Sequence, residues 1–187
     1  MIPITEISLG SSALNFTGTG TGTGSVGVSM EVEPIQKTNW CWAAVAVSVS
    51  KHYNKQSKWT QCLLACAELE KTTCCDKLRG GSCNVTHDID KALSRTQNLG
   101  KKVRGKISED EIEAALKGKM PVVIRVEFAD GKGHFLAIVA IKRGANGMTG
   151  LTLSDPAYGD MVVTPSELNG TYKLSGRWTH TFTTRPS

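Results

Sequence analysis

The chain has 187 residues, 22 basic against 17 acidic side chains and a net charge of +5. That is the length of one globular domain, or one domain with a tail, and enough to bury a core. Even between Lys77 and Lys106 the basic residues are spread rather than packed into a block, which argues against a nucleic-acid partner; the longest apolar run, Phe135 to Ile141, is strand-sized and argues against stable membrane insertion.

Residues 1–30 stand apart. They hold no lysine or arginine, and the run from Thr17 to Gly24 alternates two small residues. Such a composition has little to bury and a high entropy cost of ordering, so 1–30 is expected to be a flexible Gly/Thr-rich segment and 31–187 the folded domain. The start, Met1-Ile2-Pro3-Ile4-Thr5-Glu6, lacks the basic residues and apolar block of a secretory signal peptide.

After Pro34 the pattern turns helical. From Cys41 to Tyr53 the residues are mostly small or apolar, which suits a helix buried on most sides. A second helix is expected after Thr60, whose hydroxyl can cap it, with Leu63, Leu64, Ala67 and Leu69 on its apolar positions. A third is expected from near Thr86, and a fourth after Ser108, which forms a capping box with Glu111 and is stopped by Gly118 and Pro121. From there β-rich runs take over: Val122 to Phe128, His134 to Ile141, Leu151 to Ser154, Met161 to Thr164 and Trp178 to Thr183. Helices first and a mostly antiparallel sheet after them read as α+β.

Five of the six cysteines, Cys62, Cys66, Cys74, Cys75 and Cys83, crowd into one stretch. Clusters like this are disulfide frameworks, structural metal sites or reduced core thiols. No paired C-x-x-C spacing favours zinc, so disulfides in an oxidising compartment are expected, with one thiol left over. Cys62 and Cys66 share a helical face from which both could reach the following loop.

Cys41 is set apart from that cluster. It opens the buried helix, where the partial positive charge of a helix N-terminus favours a thiolate, the reactive form of cysteine. Of the four histidines, His52 lies about three turns along the same helix, His87 sits in the cysteine-rich region and His180 is followed by no acid, which leaves His134, in Gly133-His134-Phe135, as the sensible base. Asp155, in Asp155-Pro156, closes the next strand; alone it would be an ordinary turn former.

The segments Gln36, Thr38-Asn39-Trp40-Cys41-Trp42-Ala43-Ala44, Gly133-His134-Phe135 and Asp155-Pro156 resemble bacterial papain-like cysteine peptidases, the group of AvrRpt2-type effectors and C39-like peptidases. The paired tryptophans around Cys41 make the first segment the most specific. The resemblance implies a papain-like fold, with an N-terminal helical lobe carrying the nucleophile and a C-terminal antiparallel sheet lobe. It implies a triad of Cys41, His134 and Asp155, and Gln36 in the oxyanion hole although it stands one residue closer to the cysteine than in papain; Asp130, four residues before His134, is the fallback orienter. Trp178 is a candidate shield for the His134–Asp155 pair. A cysteine peptidase of this kind needs no metal or organic cofactor and takes a protein or peptide substrate. It is expected to be a monomer, exported from a bacterium as an effector or toxin, with an inhibitory or immunity partner a further expectation. An acyltransferase or glutamine deamidase would use the same triad, and a cysteine-stapled binding module would need none of it.

Overall fold

The computed structural model describes residues 24–187; the Thr/Gly repeat up to residue 23 lies outside the described residues. In chain order the elements are β1 (Ser25–Gly27), α1 (Cys41–Tyr53), α2 (Gln61–Leu69), a 3-10 turn (Gly80–Cys83), α3 (Ile89–Arg95), β2 (Leu99–Arg104), α4 (Glu109–Lys117), β3 (Val122–Glu127), β4 (Gly133–Arg143), β5 (Thr149–Asp155), β6 (Gly159–Val163), β7 (Asn169–Tyr172) and β8 (Gly176–Thr184). The strands form one sheet in the order β2-β8-β3-β4-β5-β6, with β1 added to β4 and β7 to β8. Every pairing is antiparallel. The fold is therefore mixed helix and antiparallel sheet, as the α+β reading expects.

The two faces of the sheet bury separate cores. Alternation along β3 and β4 sends Val123, Ala137 and Val139 to one side, where they join α1, α2 and α3. The intervening Val122, Ile124, Leu136 and Ile138 face the other side and pack with Ile112 and Leu116 of α4. Between Cys41 and Ser50 every residue of α1 is buried, because sheet, α2 and α3 surround it. Thr60 caps α2, its hydroxyl accepting from Leu63 N–H, and Ser108 and Glu111 close the capping box of α4.

Several expectations need correction. Residues 25–27, placed in the segment expected to be flexible, form β1 and pair with Ala140–Lys142. Gly27 serves close approach rather than flexibility: a Cβ there would lie 2.8 Å from the Ala140 Cβ. The third helix starts at Ile89 rather than near Thr86. Strands β2 and β7 are additional. Strand β2 is a lysine-rich edge strand without apolar alternation, and β7 begins Asn169-Gly170, which reads as a turn. Cys66 does not enter a bridge. The disulfides are Cys62–Cys75 and Cys74–Cys83, and Cys66, one turn beyond Cys62 on α2, stays free because both adjacent loop thiols are already taken.

A strap from residue 28 to 36 carries the chain from the sheet to the start of α1. Val28 N–H donates to Val139 O, Val32 N–H to Ser154 Oγ, Glu33 N–H to Ser48 Oγ and Ile35 N–H to Pro156 O. Each bond ties the strap to β4, to β5 or the turn after it, or to α1. Gln61, fully buried at the start of α2, finishes the clip: its Oε1 accepts from Gln36 N–H at 3.0 Å and its Nε2 donates to Pro34 O at 2.9 Å. The nucleophile candidate therefore enters its helix from a backbone bonded on both sides.

Candidate active site

Cys41 occupies the first turn of α1, 8% exposed. Trp40, at the N-cap, offers no side-chain cap, and the first turn holds no acidic residue. The free N–H groups and positive end of the helix dipole are thus left without a competing anion beside the sulfur.

The turn before Cys41 is clasped by the loop that the disulfides staple. Asn39 N–H donates to Asn84 Oδ1 at 3.0 Å, Asn39 Nδ2 to Asn84 O at 2.8 Å, and Asn84 Nδ2 to Thr38 Oγ1 at 2.9 Å. The flanking indoles join in, Trp40 Nε1 donating to Cys83 O at 2.6 Å and Trp42 Nε1 to Val85 O at 3.1 Å. Cys83 is bonded to Cys74 and both are buried. The tryptophans thus wedge the helix start against the cysteine loop, which explains their spacing around Cys41.

His134 is the second residue of β4 and is buried. Its Nε2 lies 2.9 Å from both Asp155 Oδ1 and Asp155 Oδ2. Nδ1 is then the ring nitrogen without a carboxylate partner, and Cys41 lines the same cleft as the ring. Burial pushes the imidazole pKa down, but the hydrogen bond and charge of Asp155, joined by those of Cys41, outweigh it and raise His134 to about 9. Gly133 precedes it because the Arg125 guanidinium lies across that position, where a Cβ would fall 2.7 Å from Arg125 Nε.

Asp155 ends β5, 2% exposed, and accepts from four donors: His134, Ala157 N–H at 2.7 Å, Tyr158 N–H at 3.1 Å and Tyr172 Oη at 2.5 Å. Burial alone would push its carboxyl up; His134, Tyr172 and the Ala157 N–H hold it below the usual carboxylate range. The turn-forming and imidazole-facing roles of Asp155 coexist, because the oxygen that organises the turn also faces the ring.

Other candidates fall elsewhere. Asp130 binds Lys132 on an exposed turn, which removes the fallback orienter. His52 contacts Lys119 O, and His180 stacks on Phe182. Gln36 is exposed, its backbone held by Gln61, and its side chain is not among the cleft-lining residues. Trp178 is buried in the second core with its Nε1 donating to His180 O, away from the cleft lining. Phe128 and Tyr158 flank His134 instead, with ring centroids 6.4 and 6.1 Å from the imidazole.

Cys41 and His134 open onto a cleft of about 890 Å³. Its walls include Trp42 and His87 on one side and Phe128, Phe135 and Tyr158 on the other. His87 lines this cleft, contrary to its sequence setting, but its Nε2 is bonded to buried Glu68 at 2.7 Å and its ring leans on Trp42. The Glu68, Gln61 and Tyr172 contacts carry no sequence signal, since each partner is distant along the chain and of ordinary residue type. A thiol beside a protonatable imidazole that a buried carboxylate holds is an arrangement able to form a thiolate–imidazolium pair and attack a carbonyl.

No curated protein matches the chain. A family described as papain-like cysteine protease AvrRpt2 matches residues 23–165, about three quarters of the 187 residues, and takes in Cys41, His134 and Asp155. The chain belongs to that family, and it is a papain-like cysteine peptidase, a hydrolase acting on protein substrates.

Proposed function

We propose that the chain cleaves a peptide bond through a thioester on Cys41, with His134 as base and then acid and Asp155 as its orienter. The observation that supports this reading is the placement of both buried Asp155 oxygens on His134 Nε2, which leaves Nδ1 for the thiol that lines the same cleft. His134 Nδ1 takes the Cys41 proton, and the thiolate attacks the scissile carbonyl. The oxyanion is met by the Cys41 backbone N–H, which has no acceptor within the helix, and by the Gln36 amide once it turns in over the cleft. On collapse the C–N bond breaks and His134 protonates the leaving amine. Water, deprotonated by His134, then hydrolyses the thioester and returns the thiol.

In this reading α1 to α3 form the helical lobe and the sheet forms its partner lobe, with the cleft between the start of α1 and the strand ends bearing His134 and Asp155. The protein acts as a monomeric bacterial effector outside the producing cell. The two disulfides, which need an oxidising compartment, and the family support that placement. The segment before β1 is a tether or leader that the enzyme removes itself; intact masses of wild type and Cys41→Ala after incubation must then differ. Iodoacetamide labelling tests the central chemistry. Cys41 must react fast near neutral pH and lose roughly a hundredfold in rate in His134→Ala, as expected on removal of a general base. Equal rates would remove the thiolate–imidazolium pair from the account.

A further inference from the structure

The fourth donor on Asp155 comes from beyond the family-matched residues. Tyr172 ends β7, and its hydroxyl reaches Asp155 Oδ2 at 2.5 Å. Both side chains are buried, Tyr172 3% and Asp155 2% exposed. Oδ1 is held by two backbone N–H groups of its own turn as well as by His134, whereas Oδ2 has only His134 and Tyr172 among the described residues. Without the tyrosine Oδ2 would keep only the contact it shares with Oδ1 on His134, and the carboxylate would be anchored at Oδ1 alone.

The backbone around Tyr172 is unusual. Lys173 and Leu174 are both left-handed, with φ 46° and 81°, a conformation that strains non-glycine residues. Leu174 gains no burial in return, being 96% exposed. Gly176, paired with Tyr172, has no room for a Cβ, which would lie 2.7 Å from Tyr172 O. The hairpin is thus held tight at the place where it delivers the tyrosine. The Lys173 Nζ lies 4.7 Å over the Tyr158 ring, so the same turn also touches the rim of the cleft.

We propose that Tyr172 is a positioning residue for hydrolysis: its hydroxyl, delivered by the β7–β8 hairpin, fixes the rotation of the Asp155 carboxylate so that both oxygens stay on His134 Nε2. The inference rests on the Cys41–His134–Asp155 reading. Burial and the neighbouring carboxylate push the Tyr172 phenol upward from its ordinary value, so it remains a donor through the working range of the enzyme. The titratable groups facing the pair are Cys41 from α1, Tyr158 from the β5–β6 turn and Tyr172 itself.

The test is Tyr172→Phe, which keeps the ring in the core and removes only the hydroxyl. Tyr53→Phe is the control, since Tyr53 also makes a phenolic bond, to Thr184 Oγ1 at 2.7 Å, on the far end of α1. The readout is alkylation of Cys41 by iodoacetate across pH, resolved from Cys66 by peptide mass. This anionic reagent is drawn in by the imidazolium, so its rate falls as His134 loses its proton. Tyr172→Phe is expected to move the alkaline limb to lower pH because Asp155 no longer holds the imidazolium with both oxygens, and so to slow alkylation at pH 9.5 about tenfold, the scale of one lost charge-assisted hydrogen bond. Tyr53→Phe should leave both unchanged. An alkaline limb that stays in place or rises in Tyr172→Phe overturns the proposal. If His134→Ala alkylates at the wild-type rate, the underlying triad reading fails instead, so the two failures are distinguishable.

Discussion

Replacing Asp155 by asparagine separates charge from geometry at the centre of the site. The amide keeps an oxygen for the Ala157 and Tyr158 N–H groups and an NH2 that the Tyr172 hydroxyl can accept, so the turn survives while the negative charge is lost. In the wild type His134 is raised to about 9 against an ordinary 6.5, a difference worth about 3 kcal/mol in favour of the imidazolium. With the charge gone, burial dominates and the imidazole pKa drops below its ordinary value. Alkylation of Cys41 by iodoacetate should therefore lose its alkaline limb near pH 9 and fall roughly a hundredfold at pH 7.5. Stability follows the same sign. A folded-state pKa raised above the unfolded value contributes stability that is complete below about 6.5 and lost as pH rises through about 9. Urea unfolding at pH 6 should then show Asp155→Asn less stable by about 3 kcal/mol, with the gap narrowing above pH 9. A gap of the same size at pH 6 and pH 10, or an alkaline limb that does not move, would refute the reasoning.

Three further outcomes follow from the surroundings of the site. Cys83→Ser opens the buried bridge behind the Asn84 clasp; it should cost about 3 kcal/mol in denaturant unfolding and slow Cys41 alkylation, whereas Cys66→Ser should change stability by less than about 0.5 kcal/mol. Similar losses in both would mean that the bridge does not brace the helix start. Gln36→Ala should lower kcat on labelled casein by 10²-fold or more with little change in KM, on the order reported by losing an oxyanion donor; an unchanged kcat leaves the Cys41 N–H without that partner. Ser108→Ala, which breaks the capping box of α4 on the opposite sheet face, should lower stability by about 1 kcal/mol and leave the alkylation profile unaltered.

Much of the frame is legible in local chemistry. Helix α4 announces itself through Ser108, Glu111 and Gly118, and β3 and β4 through apolar runs bounded by turn residues, because caps and period-two burial act over a few residues. Cys41 stands out for a similar reason, an apolar helix start flanked by two indoles. What is not legible depends on distant partners. Strand β2 pairs with β8, far along the chain, and its lysines mark an exposed edge rather than a strand. Tyr172 sits in a segment that reads as a turn, yet the fold swings it onto Asp155. Gln61 and Glu68 look like ordinary helix residues until the strap and His87 close on them. Conversely Gln36, prominent beside the cysteine motif, lies exposed, and Trp178 is spent on the second core.

The most direct measurement is cleavage of a peptide library by wild type and Cys41→Ala, with each product identified by mass and Cys41 examined for a trapped thioester. The account predicts discrete cut sites with newly released amines, a transient acyl adduct on Cys41, and no cleavage by Cys41→Ala. Cleavage that persists in Cys41→Ala, or ammonia released from intact peptides in place of chain cleavage, would contradict it.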